Sequence, residues 1–173
     1  MFKHKFMFSP TFGLDDPSWH GVNFSEVFDT YDEEAIEGIL NDQRRIIAKK
    51  GKAKTKNVLF VFDDMLTALP QARQSSLVSL AFHGRHLKIS FIITCQAYRA
   101  CPRPIRVNAS HFIILRVNRL EEQAIAEEQP INNFDSVYNR AVSEPWSFLY
   151  INMTVPIHER YWIRFDEQIK DIQ

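Results

Sequence analysis

One short stretch, Val58-Leu59-Phe60-Val61-Phe62-Asp63-Asp64, constrains the fold more than any other part of the sequence. Its five consecutive apolar residues, rich in β-branched and aromatic side chains, are typical of a strand that is buried on both faces of a sheet. In an open parallel sheet, ligands bind just beyond the carboxyl ends of the strands. Asp63 and Asp64 stand at that end, where they could hold a hydrated Mg²⁺ and orient a water molecule for nucleotide hydrolysis. The alternative is that an aspartate only caps a turn or the next helix.

Strand-like and helix-like segments alternate along the rest of the chain. Helices are predicted over 32–50, from near Pro70 to Gly84, over 119–128 with Asn118 as its cap, and over 134–142. Further strands are predicted over 5–11, 89–94 (as a buried strand), 111–117, 147–153 and 160–165, the last two as a terminal hairpin. The segment 98–110, with two prolines and three arginines, is predicted to be extended or a loop. This order predicts an α/β fold, with parallel pairing wherever helices intervene.

Length and composition exclude several classes of protein. A chain of 173 residues is expected to form one domain. The 21 basic and 21 acidic side chains balance, so any nucleic-acid site must be a local patch. No apolar run approaches the roughly 20 residues that cross a bilayer, and the first residues do not form a signal peptide. Cys95 and Cys101 are expected to be reduced thiols of an intracellular protein, with a disulfide as the alternative.

Three groups of polar residues follow or flank successive predicted strands. They are Asp63-Asp64, Thr94-Cys95-Gln96, and the arginines Arg85 and Arg106. A glutamine amide beside a paired-acid strand can both donate and accept, so it can contact a γ-phosphate or the attacking water. An arginine beyond the sheet edge can stabilise charge on the transferring phosphoryl group, often in a neighbouring subunit's site. The order and spacing of these groups therefore point to nucleotide hydrolysis.

The chain resembles the genome-packaging ATPases of large DNA viruses, the poxvirus-type branch of the FtsK/HerA superfamily. The segments that carry the resemblance are 58–64 as the Walker B strand, His83-Gly84-Arg85-His86, 89–96, 103–108, the first strand 6–11 and the closing hairpin at 160–166. The resemblance implies a RecA-like (ASCE) P-loop NTPase core with a mostly parallel sheet that ends in a β-hairpin. It also implies that residues 1–173 are one partial domain of this kind.

The resemblance implies a role for each polar residue at the strand ends. Asp63 would coordinate Mg²⁺ through water, and Asp64 would be the catalytic acid that orients the attacking water. Gln96 would sense the γ-phosphate, and Thr94 would contribute to nucleotide binding.

The resemblance also implies a working assembly. Arg85 is the first candidate for an arginine finger that acts across a subunit boundary, and Arg106 is the second; for both, an ion pair with a carboxylate is the alternative. The implied cofactors are ATP and Mg²⁺. The implied partners are double-stranded DNA, further copies of the chain in a ring, and capsid or portal components. The sequence itself predicts no membrane partner. The implied location is the viral factory in the host cytoplasm, or the virion.

The sequence departs from the family in one motif, the phosphate-binding loop G-x-x-x-x-G-K-[ST], which is absent. The only Gly-Lys pair, Gly51-Lys52, follows a predicted helix, and Ala53 stands where Ser or Thr is needed. In the family this loop and its strand precede the strand at Phe6, so we expect an N-terminally truncated ATPase or a gene whose first part is encoded elsewhere. We expect such a chain to bind nucleotide poorly. The absent strand belongs between strands 89–94 and 111–117, which predicts a marginal domain or a gap filled by another segment.

Two other functional classes stay open at this stage. One is a non-catalytic module that keeps the fold and contacts DNA or other copies of the chain, with the arginines of 98–110 as its contact segment. The other is an α/β structural fragment without a function of its own. The six histidines and Cys95 give no organised metal or nucleophile motif.

Overall fold

The computed structural model describes residues 2–14, 17–65 and 75–173. Its chain divides into two compact units, Met1–Arg106 and Val107–Gln173. The strands are β1 His4–Phe8, β2 Glu26–Phe28, β3 Val58–Asp63, β4 Ile89–Thr94, β5 His111–Ile114, β6 Leu149–Asn152, β7 Tyr161–Ile163 and β8 Glu167–Gln168. The helices are α1 Glu33–Lys50, α2 Ser75–His83, α3 Arg103–Asn108, α4 Arg119–Ala126 and α5 Phe134–Ala141. The prediction that the chain is a single domain stays a prediction.

The first unit is built on a parallel sheet with the strand order β2-β1-β3-β4. The central strand β3 pairs with β1 from His4↔Val58 to Phe8↔Phe62, and with β4 from Val58↔Ile89 to Asp63↔Thr94. The carboxyl ends of β1, β3 and β4 therefore meet at one edge of the sheet. This register brings the residues after Phe8, the two aspartates of β3 and the end of β4 into one neighbourhood.

Stacked aromatic rings form the core beside the sheet. The rings of Phe8 and Phe62 lie 4.9 Å apart between centroids, and those of Phe8 and Phe28 lie 4.5 Å apart. Helix α1 covers this layer with Ile36 and Leu40, both fully buried. The apolar run of β3 therefore became a buried strand because it packs under a helix and lies between two other strands.

Both predicted ends of α1 are confirmed. Asp32 has extended backbone angles, and its carboxylate accepts a hydrogen bond from the Ala35 N–H at 2.8 Å, as an N-cap does. Gly51 ends the helix with φ 78°, and its N–H donates to the Ile47 carbonyl. Inside the helix, Gln43 is buried and its amide donates to the carbonyls of Lys56 and Leu87, each at 3.1 Å. This one amide ties α1 to the loops that lead into β3 and β4.

The second unit is an antiparallel sheet with the order β5-β6-β7-β8 and two helices, α4 and α5. Asn118 caps α4 as predicted, since its side chain accepts from the N–H groups of Leu120 and Glu121. Strands β6 and β7 form the predicted terminal hairpin, which β8 extends. Among the described residues, no helix is long and apolar enough to cross a membrane.

Four local predictions need comment. The segment 98–110 is not extended, because α3 forms there; Pro104 is its second residue, where a missing N–H costs little. Strands β5 and β6 pair antiparallel, although parallel pairing was predicted wherever helices intervene. Two successive helices, α4 and α5, lie between them and can return the chain to the end at which β5 finishes. A single helix would return it to the end at which β5 begins, which is what parallel pairing requires. Strand β4 was predicted to be buried but is half exposed, because it is the outer strand of its sheet.

The predicted helix start near Pro70 lies outside the described residues. Helix α2 is described from Ser75 onwards.

Candidate active site

The carboxyl ends of β1, β3 and β4 bring together four of the predicted site residues, Asp63, Asp64, Thr94 and Gln96. The Thr94 hydroxyl donates to Asp63 Oδ1 at 2.7 Å and accepts from the Asp64 N–H at 3.0 Å. The Gln96 amide donates to Asp64 Oδ2 at 2.7 Å. The two aspartates at the end of β3 are thus hydrogen-bonded to Thr94 and Gln96, at the end of β4.

The backbone turns sharply at Asp64. Its φ is 51°, in the left-handed region that few side chains other than Gly, Asn and Asp adopt. This turn takes the chain out of β3 immediately after Asp63 and brings the second carboxylate towards Gln96. The two aspartates therefore have different surroundings: hydroxyl groups surround Asp63, and an amide contacts Asp64.

Ser9 and Thr11 also join this cluster through their hydroxyl groups. The sequence analysis assigned neither of them to the site. Ser9 is 1% exposed, and its hydroxyl donates to Asp63 Oδ2 at 3.1 Å. Thr11 contacts Ser9 through its hydroxyl at 3.1 Å and its N–H at 3.3 Å. A Ser-Pro-Thr turn after a strand was the available signal, but only the pairing of β1 with β3 shows which carboxylate it reaches.

The cluster is suited to a hard divalent cation. Carboxylate oxygens are the ligands that Mg²⁺ prefers, and Mg²⁺ commonly uses one or two of them and keeps several waters. Asp64 Oδ1 is buried and has no hydrogen-bond partner among the described residues, so it is an acceptor whose bonding capacity is unused. No group of three or more His, Cys, Asp or Glu side chains is placed to hold a metal ion in the part of the chain that the structure describes. Two carboxylates with a buried acceptor oxygen to spare fit a hydrated divalent cation.

The two predicted arginines lie on different elements, and only Arg85 lies at the opposite end of β4 from this cluster. Arg85 is exposed in a 3₁₀ turn that precedes β4, at the amino end of the strand. Since Thr94 closes the six residues of β4, the strand alone separates the two ends by about 16 Å. Arg106 lies in α3; its guanidinium stacks 4.7 Å over the Tyr98 ring and donates to the Cys101 carbonyl.

A separate cavity of about 580 Å³ occurs in the second unit, where Asn152, His158, Trp162 and Lys170 are among its lining residues. It contains none of the predicted site residues. The convergence of polar groups at the sheet edge, and not this cavity, defines the candidate active site.

Comparison with models of protein families shows which family the chain belongs to. The family model described as "Poxvirus A32 protein" matches residues 1–143. The chain belongs to this family. The matched region includes β1, β3 and β4, and therefore every residue of the candidate active site.

Relatives of known name agree with this membership. The DNA packaging protein OPG160 of Variola virus is 26% identical over 133 residues, which is 75% of this chain and 48% of that protein. The OPG160 protein of Monkeypox virus is also 26% identical over 133 residues, which is 75% of this chain and 44% of that protein. The chain thus spans about half the length of these relatives.

Solved structures show the same fold at low sequence identity. EssC (ATPases 2 and 3) from Geobacillus thermodenitrificans matches with a TM-score of 0.59 and 16% identity, covering 86% of this chain and 31% of that one. The genome packaging NTPase B204 from Sulfolobus turreted icosahedral virus 2, in complex with AMP, matches with a TM-score of 0.52 and 12% identity, covering 88% of this chain and 79% of that one. The expected α/β fold of P-loop ATPase domains is confirmed, with its parallel sheet and its antiparallel hairpin.

Proposed function

We propose that this chain carries the hydrolytic half of an ATPase that moves double-stranded DNA into a viral capsid. The single observation that carries the proposal is the contact of Gln96 with Asp64 beside the hydroxyl-held Asp63, at the carboxyl edge of a parallel sheet. Membership of a poxvirus family whose relatives are named DNA packaging proteins supports the biological setting. The proposed location is the viral factory in the host cytoplasm, or the virion.

Each polar group has a distinct task in this proposal. Asp63 holds Mg²⁺ through water, and the ion supplies positive charge to the β- and γ-phosphates of ATP when it is bound. The Asp64 carboxylate orients the attacking water and accepts its proton. Gln96 keeps Asp64 in place through its amide and is near enough to sense whether a γ-phosphate is present. The Thr94 hydroxyl is hydrogen-bonded to both aspartates, so Thr94 influences nucleotide binding by positioning them.

The phosphate-binding loop is proposed to come from polypeptide outside the 173 residues, since the motif is absent from them. Strand β4 offers a place for the strand that would carry it. It is the outer strand of the parallel sheet, and Ile92 on it is 53% exposed. An outer strand has unpaired N–H and C=O groups that a further strand can bond.

An arginine from a neighbouring subunit completes the proposed site. Arg85 is exposed and lies at the opposite end of β4 from the aspartates, so it is suited to a neighbouring subunit's site and not to its own. This placement supports a ring of identical subunits in which each subunit supplies a finger to the next. Arg106 is the weaker candidate, because it is engaged with Tyr98 and Cys101.

The decisive experiment is to compare wild type with Asp64→Asn in the protein at its full natural length, assayed for DNA-stimulated ATP hydrolysis. Asparagine tolerates the left-handed backbone and keeps the size, so only the base is lost. We expect kcat to fall by about 10²–10⁴-fold with ATP affinity nearly unchanged. Asp42→Asn, a change at an exposed position of α1, is the matched control and should keep full activity. Loss of less than about threefold in Asp64→Asn would remove Asp64 from the mechanism.

A second function is favoured by one observation, the absent phosphate loop. In that case the chain is a non-catalytic module, and Arg103 on the exposed side of α3 is a candidate phosphate-backbone contact. The charge reversal Arg103→Glu separates the two functions. It should abolish DNA affinity in a binding module but leave basal ATP turnover unchanged in an ATPase.

A further inference from the structure

Ser9 occupies a position where its hydroxyl can have only one orientation. It is almost fully buried, and its own N–H is bonded to the Phe28 carbonyl at 2.9 Å, so the main chain beneath it is fixed. An ionised carboxylate only accepts hydrogen bonds, so the Ser9 hydroxyl must donate its single proton to Asp63. Because that proton is used, Thr11 must be the donor to Ser9, through both its hydroxyl and its N–H.

The two oxygens of Asp63 are therefore held from opposite sides. Ser9, at the end of β1, donates to Oδ2 at 3.1 Å, and Thr94, at the end of β4, donates to Oδ1 at 2.7 Å. Ser9 directly follows β1 and Thr94 closes β4. Both strands flank β3, so the sheet sets the spacing of the two donors. One hydroxyl on each oxygen fixes the plane of the carboxylate and leaves each oxygen with further acceptor capacity.

We propose that Ser9 is a positioning residue for Asp63: it fixes the carboxylate in the orientation in which the carboxylate receives a hydrated divalent cation. The inference rests on the proposed function and adds β1 to the strands that build the site. Groups that hydrogen-bond to metal-binding carboxylates orient them, and their loss typically weakens metal affinity by about 10–100-fold. Thr11 acts one step further out, since it donates to Ser9.

Selective broadening of amide NMR signals by Mn²⁺ tests this without requiring turnover, and it detects weak sites. In the wild-type chain, low Mn²⁺ should broaden the amides of residues 63, 64 and 94, and Mg²⁺ should reverse the effect. Ser9→Ala should require about 10–100-fold more Mn²⁺ for equal broadening. Ser9→Thr, which keeps the hydroxyl, should restore the wild-type response. Ser90→Ala, a change at an exposed serine of β4, is the matched control.

The outcomes separate the inference from the proposed function. If Ser9→Ala binds Mn²⁺ as wild type does, Ser9 does not position Asp63, and the proposed function stands. If wild type itself shows no selective broadening, the cation site fails, and the inference fails with it. Should Ser9→Ala not fold, Ser9→Cys keeps the size with a weaker donor and must show the same loss. A wild-type response from Ser9→Cys would overturn the inference.

Discussion

The side-chain amide of Gln96 donates to Asp64 Oδ2 at 2.7 Å, which joins two residues that lie 32 positions apart in the sequence. The parallel pairing of β3 with β4 creates this contact, because Asp63 lies opposite Thr94 and the chains leave the sheet together. An amide on a carboxylate fixes the carboxylate and leaves the amide oxygen able to accept from water. In the proposed function, this pair couples activation of the attacking water to sensing of the γ-phosphate.

Replacing Gln96 should slow hydrolysis and leave binding intact. We expect Gln96→Ala to lower kcat by about 10²-fold or more, because Asp64 loses the donor that orients it. Gln96→Glu keeps the length but replaces the donor with an acceptor, so it should lose as much. Steady-state kinetics on the full-length protein measure both variants, with Gln123→Ala on the exposed side of α4 as control. Normal turnover in Gln96→Glu would show that the amide proton is not needed.

Subunit mixing should reveal whether Arg85 acts across a boundary. Arg85→Ala and Asp64→Asn should each be inactive alone, the first because a finger contributes about 10³–10⁵-fold. Mixed rings should recover part of the activity, since an intact Asp64 then faces an intact Arg85 from its neighbour. Arg106→Ala should instead lower the melting temperature, because the variant loses the contacts to Tyr98 and Cys101. Mixed rings that stay inactive would assign Arg85 to another task.

Removing the buried amide of Gln43 should destabilise the first unit. Gln43→Leu leaves the carbonyls of Lys56 and Leu87 without their donor in a buried place. We expect the free energy of unfolding to fall by about 1–3 kcal/mol in urea titrations. The same change at the exposed Gln123 should stay within about 0.5 kcal/mol. Equal stability of the two variants would mean that water replaces the amide.

Acid should weaken the packing of α1 against α2 through Glu33. Burial alone would raise the pKa of this carboxyl, but hydrogen bonds from Ser75 and Ser76 outweigh it and hold the pKa below its ordinary value. A lowered pKa means that the carboxylate stabilises the fold above its unfolded pKa of about 4.3, and that this stabilisation is lost as the pH falls through the folded value.

The variant Glu33→Gln isolates this contribution. It should be less stable than wild type at neutral pH, and the difference should shrink as the pH falls below about 4. Urea titrations at several pH values measure it. Glu34→Gln, at the exposed neighbouring position, should run parallel to wild type. A constant difference between Glu33→Gln and wild type at every pH would assign the effect to shape and not to charge.

Local chemistry made much of the first unit predictable. The strand from the apolar run 58–62 and the helix over 32–50 are set by residues close in sequence, and both predictions agree with the structure. The contact of Ser9 with Asp63 spans 54 positions and depends on strand order, which no local pattern reports. Helix α3 was missed because prolines suggest a break, although they suit a first turn. The half exposure of β4 follows from its place in the sheet and not from its composition.

The left-handed backbone of Asp64 limits which acids evolution can place there. Glutamate carries the same charge one methylene further out, but a side chain of that kind costs about 1–2 kcal/mol in this conformation. Exchange of aspartate for glutamate at this position is therefore expected to lower stability unless the turn after β3 changes with it. The main-chain conformation by itself favours the shorter carboxylate at this position.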